Sequence, residues 1–317
     1  MPAKGFKTTL GYGEESTYGT PVASSKWNEI LSESLKLTDE PIIKPSMRGA
    51  TQRGFFQSIK TVGGSVEIEA MYEGMLKLLK HALGSVATVE TEAATRWTHT
   101  FTLVANAALP TGLTFELGRD LQGWRYHGCK INELTLSQEV ADTLKLALGI
   151  LGEDEEKVTA GAATYPTERL IPFHQGILKI ATVATDAQGF EVTLNNGLTA
   201  ERHKFGGRLT KEPAANDFRT VTGSISKDFE TADIAALYDK WVAGTEVAIQ
   251  LDYTGPVLGA GNYKFTIDMP RCVLMGDVPT VSGPGLVPLT IPYQAIYDET
   301  GAADAFKVTV VNGESAA

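Results

Sequence analysis

From residue 62 to residue 70 the chain alternates, with Val66, Ile68 and Ala70 on one side and Ser65, Glu67 and Glu69 on the other. A period of two is the mark of a strand with one buried face. The period then lengthens to that of a helix. Met75, Leu76, Leu78, Leu79 and Leu83 make one stripe across residues 71–83, and Gly84 stops it. The same succession returns later: residues 221–229 alternate, residues 232–242 carry Ile234, Leu237, Tyr238 and Trp241 on one helical face, and Gly244 closes the helix. Thr231 is placed to cap its start. Further strands are predicted at 34–38, 97–104, 113–117, 131–137 and 144–150, then at 190–194, 247–253, 263–267, 272–275 and 287–293. Pro288 and Pro292 mark the last of these as peripheral.

The recurrence extends to residues. Thr61-Val62-Gly63-Gly64-Ser65 returns as Thr220-Val221-Thr222-Gly223-Ser224, and residues 129–156 align without a gap on 272–299. In that block Leu144, Leu146, Leu148 and Ile150 fall on Val287, Leu289, Ile291 and Tyr293. The expected fold is mainly β, with two tandem β-sandwich or barrel domains, each bearing one flanking helix and a long loop. The expected divisions are an N-terminal arm at 1–27, domain 1 at 28–157, a linker at 158–169, domain 2 at 170–303 and a C-terminal tail at 304–317. Residues 308–311 are able to pair as a strand, with a frayed end after them.

Composition narrows the function. A chain of 317 residues, 43% hydrophobic, holds enough apolar material for two cores. Its formal net charge of -10 argues against a generic basic nucleic-acid surface, and is equally compatible with simple solubility or with a wall that repels DNA. Cys129 and Cys272 occupy equivalent places in the two repeats and are read as small core residues. No apolar run reaches the roughly 18–20 residues of a membrane span, and residues 1–6 lack a secretory pattern. Synthesis and assembly in the cytosol are therefore expected.

No catalytic, metal or cofactor motif emerges, so no enzyme, metal or cofactor is expected. The five histidines lack ligand spacing. His127 stands two residues from Cys129, but the second repeat has Pro270 in its place. Gly259-Ala260-Gly261 reads as a hairpin turn and Asp154-Glu155-Glu156 as a solvated linker run. A repeated domain without such chemistry usually builds an assembly.

Two long loops carry the remaining information. Residues 44–60 hold Lys44, Arg48, Arg53 and Lys60 around Phe55 and Phe56, with no acid. Their counterpart, 201–219, holds Arg202, Lys204, Arg208 and Lys211 around Phe205. Loops of this length are often functional. Basic residues beside an exposed aromatic fit docking onto an acidic copy of the same chain, stacking of single-stranded nucleic acid, or plain solvation.

The run Gly11-Tyr12-Gly13-Glu14-Glu15-Ser16-Thr17-Tyr18-Gly19-Thr20-Pro21 resembles the "GxGxExTYGTP" opening of major tail tube proteins of long-tailed (siphovirus-type) bacteriophages, and the remaining order of elements is similar to a two-domain variant of that family. The resemblance implies homotrimeric, pseudo-hexameric rings stacked into a hollow tube through which double-stranded DNA passes without specific contacts. It implies a virion protein, with tape-measure, terminator and distal tail proteins as partners. It assigns ring stacking to the two basic loops and inter-subunit contact to the arm residues Gly11, Tyr12, Glu15, Tyr18 and Pro21. Glu67, Glu69, Glu133, Ser226 and Asp228 are candidates for the channel wall, with Lys227 out of pattern on the apolar face where repeat one has Ile68. The alternatives are another tail or head–tail ring component, or a carbohydrate- or surface-binding β-sandwich module.

Overall fold

A computed structural model of the chain describes every residue except 1, 46–51, 53, 105–107, 168, 277–278, 282, 298–303 and 317. The protein is mainly β, and each repeat is a pair of sheets stitched by one long strand. In repeat one that strand is Gln122–Glu139. Its first half pairs with Leu113–Arg119, which continues through Thr8–Glu14 to Lys26–Asn28, while its other edge takes Asp154–Val158. Its second half crosses to the inner sheet and pairs with Lys145–Gly152, followed by Lys60–Glu69 and the short strands Ser32–Glu33 and Lys36–Asp39. Gly128 sits at the crossing with φ +61, where a Cβ would meet that of Glu153 at 2.7 Å. The register slip between Leu113 and Phe115 is the accompanying bulge, which bends the strand from one sheet to the other. The same bulge interrupts the alternation that would have aligned His127 with Cys129.

Repeat two follows the main strands of this plan. Its long strand, Gly261–Leu274, pairs in the outer sheet with Val247–Leu258 and then Gly176–Ile180, with Lys307–Asn312 on its other edge. Its last residues, Cys272 to Leu274, enter the inner sheet beside Pro288–Ala295, followed by Thr220–Asp228 and Gly189–Asn195. Each repeat thus supplies four strands to an inner sheet in the same order. Leu134, Leu136, Leu146, Leu148, Val192, Ile225 and Ile291 are among the residues that fill the core behind it. Cys129 and Cys272 are both buried and free.

Several elements differ from the sequence expectation. The repeat-one helix is shorter, Leu76–Leu83, and Gly84 caps it in the left-handed region at φ 102 with its N–H on Lys80 O. In repeat two the start is capped not by Thr231 but by a box in which Glu230 and Asp233 exchange bonds with each other's backbone, and the middle, Ile234–Tyr238, widens into a π-turn. Residues 8–14 and 26–28 are strands of the first sheet where an arm was expected, because Leu10 and Tyr12 face the core. Asp154–Val158 is likewise an outer strand, with Glu156 on Arg125 at 3.0 Å, and not a solvated linker run. Pro288–Ala295 is not peripheral: it pairs along its whole length with Thr220–Asp228. Pro292 is tolerated because its ladder with the long strand spans only residues 293–295, so at 292 no N–H is needed. The end of the chain is tied down. Lys307–Asn312 lies between Arg96–Leu103 and repeat two, and Glu314 accepts bonds from Gly74 N and Lys26 Nζ.

Candidate assembly surfaces

The two inner half-sheets are one sheet. Strand Gln122–Glu139 of repeat one pairs antiparallel with Gly189–Asn195 of repeat two over seven residues, from Glu133 opposite Asn195 to Glu139 opposite Gly189. Each neighbouring strand stays in register, so side chains form rows across both repeats. One row runs Glu67, Ala147, Thr135, Thr193, Thr222, Gln294, and the next runs Glu69, Lys145, Ser137, Glu191, Ser224, Pro292. The Thr135 and Thr193 hydroxyls meet at 2.9 Å across the junction.

These rows share one solvent-facing side, because the residues between them fill the core. All five candidates for a channel wall, Glu67, Glu69, Glu133, Ser226 and Asp228, lie on it. Glu139 and Glu191 join them at the junction and were not singled out from sequence. The alternation Phe190-Glu191-Val192-Thr193-Leu194 held the signal for Glu191, but only the pairing of the repeats shows that it extends the same face. Lys145 is the basic residue in the rows, and it bonds Asp142 at 2.7 Å. The face is polar and acidic.

The two basic loops lie at the same end of this sheet, and they interlock. Arg208 O accepts Lys60 N–H at 2.8 Å, Arg208 Nε donates to Ser58 O at 2.7 Å, and its Nη1 and Nη2 reach Gln57 and Asp39. Thr210 Oγ1 donates to Lys60 O, and Lys60 Nζ bonds Asp154 at 3.1 Å. Lys60 and Arg208 are therefore intrachain clasps. Arg202 Nη1 donates to Glu212 O, while the Lys211 backbone N–H bonds Arg202 O, so both brace their own loop. Lys44, Lys204 and the three phenylalanines are exposed, Phe205 completely. Arg48 and Arg53 lie outside the described residues. A two-stranded hairpin forms the base of each loop: Ile42–Ile43 with Phe55–Phe56, and Leu198–Thr199 with Ala214–Ala215.

The N-terminal motif closes on its own repeat. The buried Glu15 carboxylate accepts Thr114 Oγ1 and Gly128 N at 2.8 Å each, and Gly19 N at 2.9 Å. Gly19 has φ +74, and a Cβ there would lie 2.1 Å from Glu153 Oε2. Tyr18 packs against Gly112 and Gly128, Tyr12 donates to Asn28 Oδ1, and Gly11 leaves room for Ser24 and Trp27. Of the five residues expected to touch another subunit, Pro21 is exposed.

The fold and these surfaces define a duplicated, mainly-β protein whose two repeats merge edge to edge into one sheet. Residues 5–295 match the family of the phage tail tube protein, and the chain belongs to that family. It is a structural protein of the bacteriophage tail tube and a component of the virion tail. No curated protein matches the chain. Among the described residues no helix is long and apolar enough to cross a membrane, and no group of three or more His, Cys, Asp or Glu is placed to hold a metal ion.

Proposed function

We propose that three copies close into a ring of six repeats, and that rings stack into a tube whose lumen is the acidic face of the inner sheet. One observation carries this reading: the edge-to-edge junction of strands 133–139 and 189–195 already joins one repeat to the next within a chain. Because both repeats order their strands alike, the free edge at Lys36–Asp39 is the counterpart of Gly189–Asn195, and residues 272–274, where Gly261–Leu274 enters the inner sheet beside Pro288–Ala295, stand where the repeat-one long strand enters it. A heterologous contact of this kind continues until the rotation closes it, and closure removes the exposed edges. About 24 strands spaced ~4.8 Å and tilted by about 40° give a barrel roughly 48 Å across between backbones, wide enough for duplex DNA. A wall of Glu67, Glu133, Glu139 and Glu191 repels a polyanion and lets it slide. The tip of the repeat-two loop, with Phe205 fully exposed, is available to the neighbouring ring. Tape-measure, terminator and distal tail proteins are the further partners of such a tube.

Negative-stain electron microscopy of the purified chain, with sizing on the same sample, tests the reading. Rings or tubes with threefold symmetry and six similar lobes are expected. A closed dimer that never stacks would overturn it.

A further inference from the structure

Inside the chain, the junction between repeats is more than a ladder. The hairpin at the base of the repeat-two loop sits on the repeat-one long strand through polar contacts: Leu198 N donates to Asn132 Oδ1 at 2.8 Å, and Lys130 Nζ bonds Glu212 Oε1 at 2.5 Å. Both sides of this contact have counterparts elsewhere in the molecule. Cys129 aligns with Cys272, so Lys130 corresponds to Val273 and Asn132 to Met275. Thr193 pairs with Thr222 as Lys36 pairs with Gly63, so the repeat-two hairpin corresponds to Ile42–Ile43 with Phe55–Phe56.

Lys130 and Asn132 of the internal contact have apolar counterparts in Val273 and Met275, and the hairpin that corresponds to Leu198–Thr199 with Ala214–Ala215 carries four large apolar side chains. Ile42, Ile43, Phe55 and Phe56 are between 45% and 71% exposed, and Met275 is 40% exposed. Met275 borders a small cavity of about 40 Å³ lined also by Phe229, Leu237, Tyr238, Trp241 and Leu289, where the repeat-two helix leaves an uncovered face. Its counterpart in repeat one is covered: Leu76, Leu78, Leu79, Ala82 and Leu83 are all buried. Within one chain the two apolar surfaces stand at opposite edges of the inner sheet, roughly 30 Å apart at ~4.8 Å per strand, and cannot meet.

We infer that these two surfaces bind each other between copies: the Ile42–Ile43/Phe55–Phe56 hairpin of one chain docks on the Met275 and Tyr238 side of repeat two in the next. The contact repeats the internal junction in place, with apolar packing substituted for its ion pair and hydrogen bond. A seam made from large apolar side chains supplies the affinity that a contact between separate chains needs, which the covalently linked internal junction does not. The inference rests on the head-to-tail self-assembly proposed above. It assigns the base of the repeat-one loop to the seam within a ring, and leaves the tip of the repeat-two loop for contacts between rings.

The full chain carrying Ile42→Cys and Met275→Cys tests it under mild oxidation. The two positions are too far apart to bridge within a chain, and the native cysteines are buried. Disulfide-linked oligomers ending in a closed three-chain species are expected on non-reducing gels, with each single-cysteine variant remaining unlinked. Tubes or rings that form without this cross-link would overturn the inference and leave the tube reading standing. A chain that never self-associates would overturn both. As a second test, Phe55→Ser/Phe56→Ser and Tyr238→Asp/Met275→Asp chains should each sediment as folded monomers, with association weakened at least tenfold. Mixed, they should form a one-to-one dimer and nothing larger, since each retains one intact surface. Assembly of either variant alone as in the wild type would refute the contact.

Discussion

Arg219 of repeat two donates from Nη2 to the carbonyl oxygen of Leu83, the last residue of the repeat-one helix, at 3.0 Å. The same guanidinium reaches Ala82 O, Val104 O and Asn196 Oδ1, and Asn196 Nδ2 adds bonds to Ala82 O and Ile131 O. Burial lowers the pKa of Arg219 to about 10, so it remains charged at neutral pH. A cation among the unpaired carbonyls of a helix C-terminus is favourable. Here it also makes the end of one repeat's helix depend on the other repeat. Arg219→Ala should cost about 2–4 kcal/mol and split a single unfolding transition into two. Calorimetry decides this: one transition at the wild-type temperature would show that the repeats are coupled by the ladder alone.

Glu15 holds the N-terminal loop to repeat one through three donors, Thr114 Oγ1, Gly128 N and Gly19 N. Glu15→Ala leaves those donors in a buried place without an acceptor. A loss of about 3 kcal/mol is expected in urea unfolding, with Glu15→Gln recovering part of it because its amide oxygen still accepts. An unchanged midpoint for Glu15→Ala would mean that water replaces the carboxylate.

Lys227 is buried where repeat one has Ile68, and its Nζ meets the equally buried Asp233 at 2.8 Å. Lys227→Ile removes the cation but leaves the carboxylate, so about 3–5 kcal/mol should be lost. Adding Asp233→Asn keeps an acceptor for Glu230 N and removes the stranded charge, and should restore most of that stability. A double-mutant cycle in urea measures the coupling, and additive losses would count against a paired role.

Acid should weaken the fold in two stages. Glu14 Oε1 lies 3.0 Å from His81 Nε2 and 2.8 Å from Lys80 Nζ. The His81 hydrogen bond, then that of Lys80, hold Glu14 at about 2 despite its burial. Burial lowers His81 below its ordinary 6.5, so the neutral ring donates to the carboxylate. Both folded values lie below the unfolded ones, so the unfolded chain binds more protons on acidification. The His81 contribution is complete above 6.5 and declines as the pH falls below it. That of Glu14 declines from 4.5 down through about 2. His81→Gln should flatten the fall in melting temperature between about pH 7 and 5, and an unaltered slope would assign that fall to other groups.

The strands with one dry face were legible from alternation, because a period of two leaves no other placement for Val66 and Ile68 or for Phe190 and Val192. The helix stops at Gly84 and Gly244 were legible for a similarly local reason, both glycines adopting positive φ. Repetition was legible as well, since the copied blocks around Thr61 and Thr220 retain their order. Capping was not fully so: Glu230 and Asp233 outcompeted Thr231 through a reciprocal pair of bonds that depends on how the chain enters the helix. The acidic run at 154–156 read as a linker because its partner strand is some thirty residues away in the chain.

The sequence by itself determined most of the strands, both helices, their order, their buried faces and the duplication, all of which follow from side-chain periodicity and local backbone chemistry. Only the tertiary structure decided which edges meet. Strand 133–139 has the same alternation whether it ends a sheet or joins Gly189–Asn195, and Lys60 has the same charge whether it is free or clasped against Asp154. Strand pairing is made by backbone groups that every residue carries, so it leaves little trace in side-chain pattern. The shared sheet, the acidic face that runs across it and the unpaired apolar surfaces at its two ends therefore emerge only when the chain is folded.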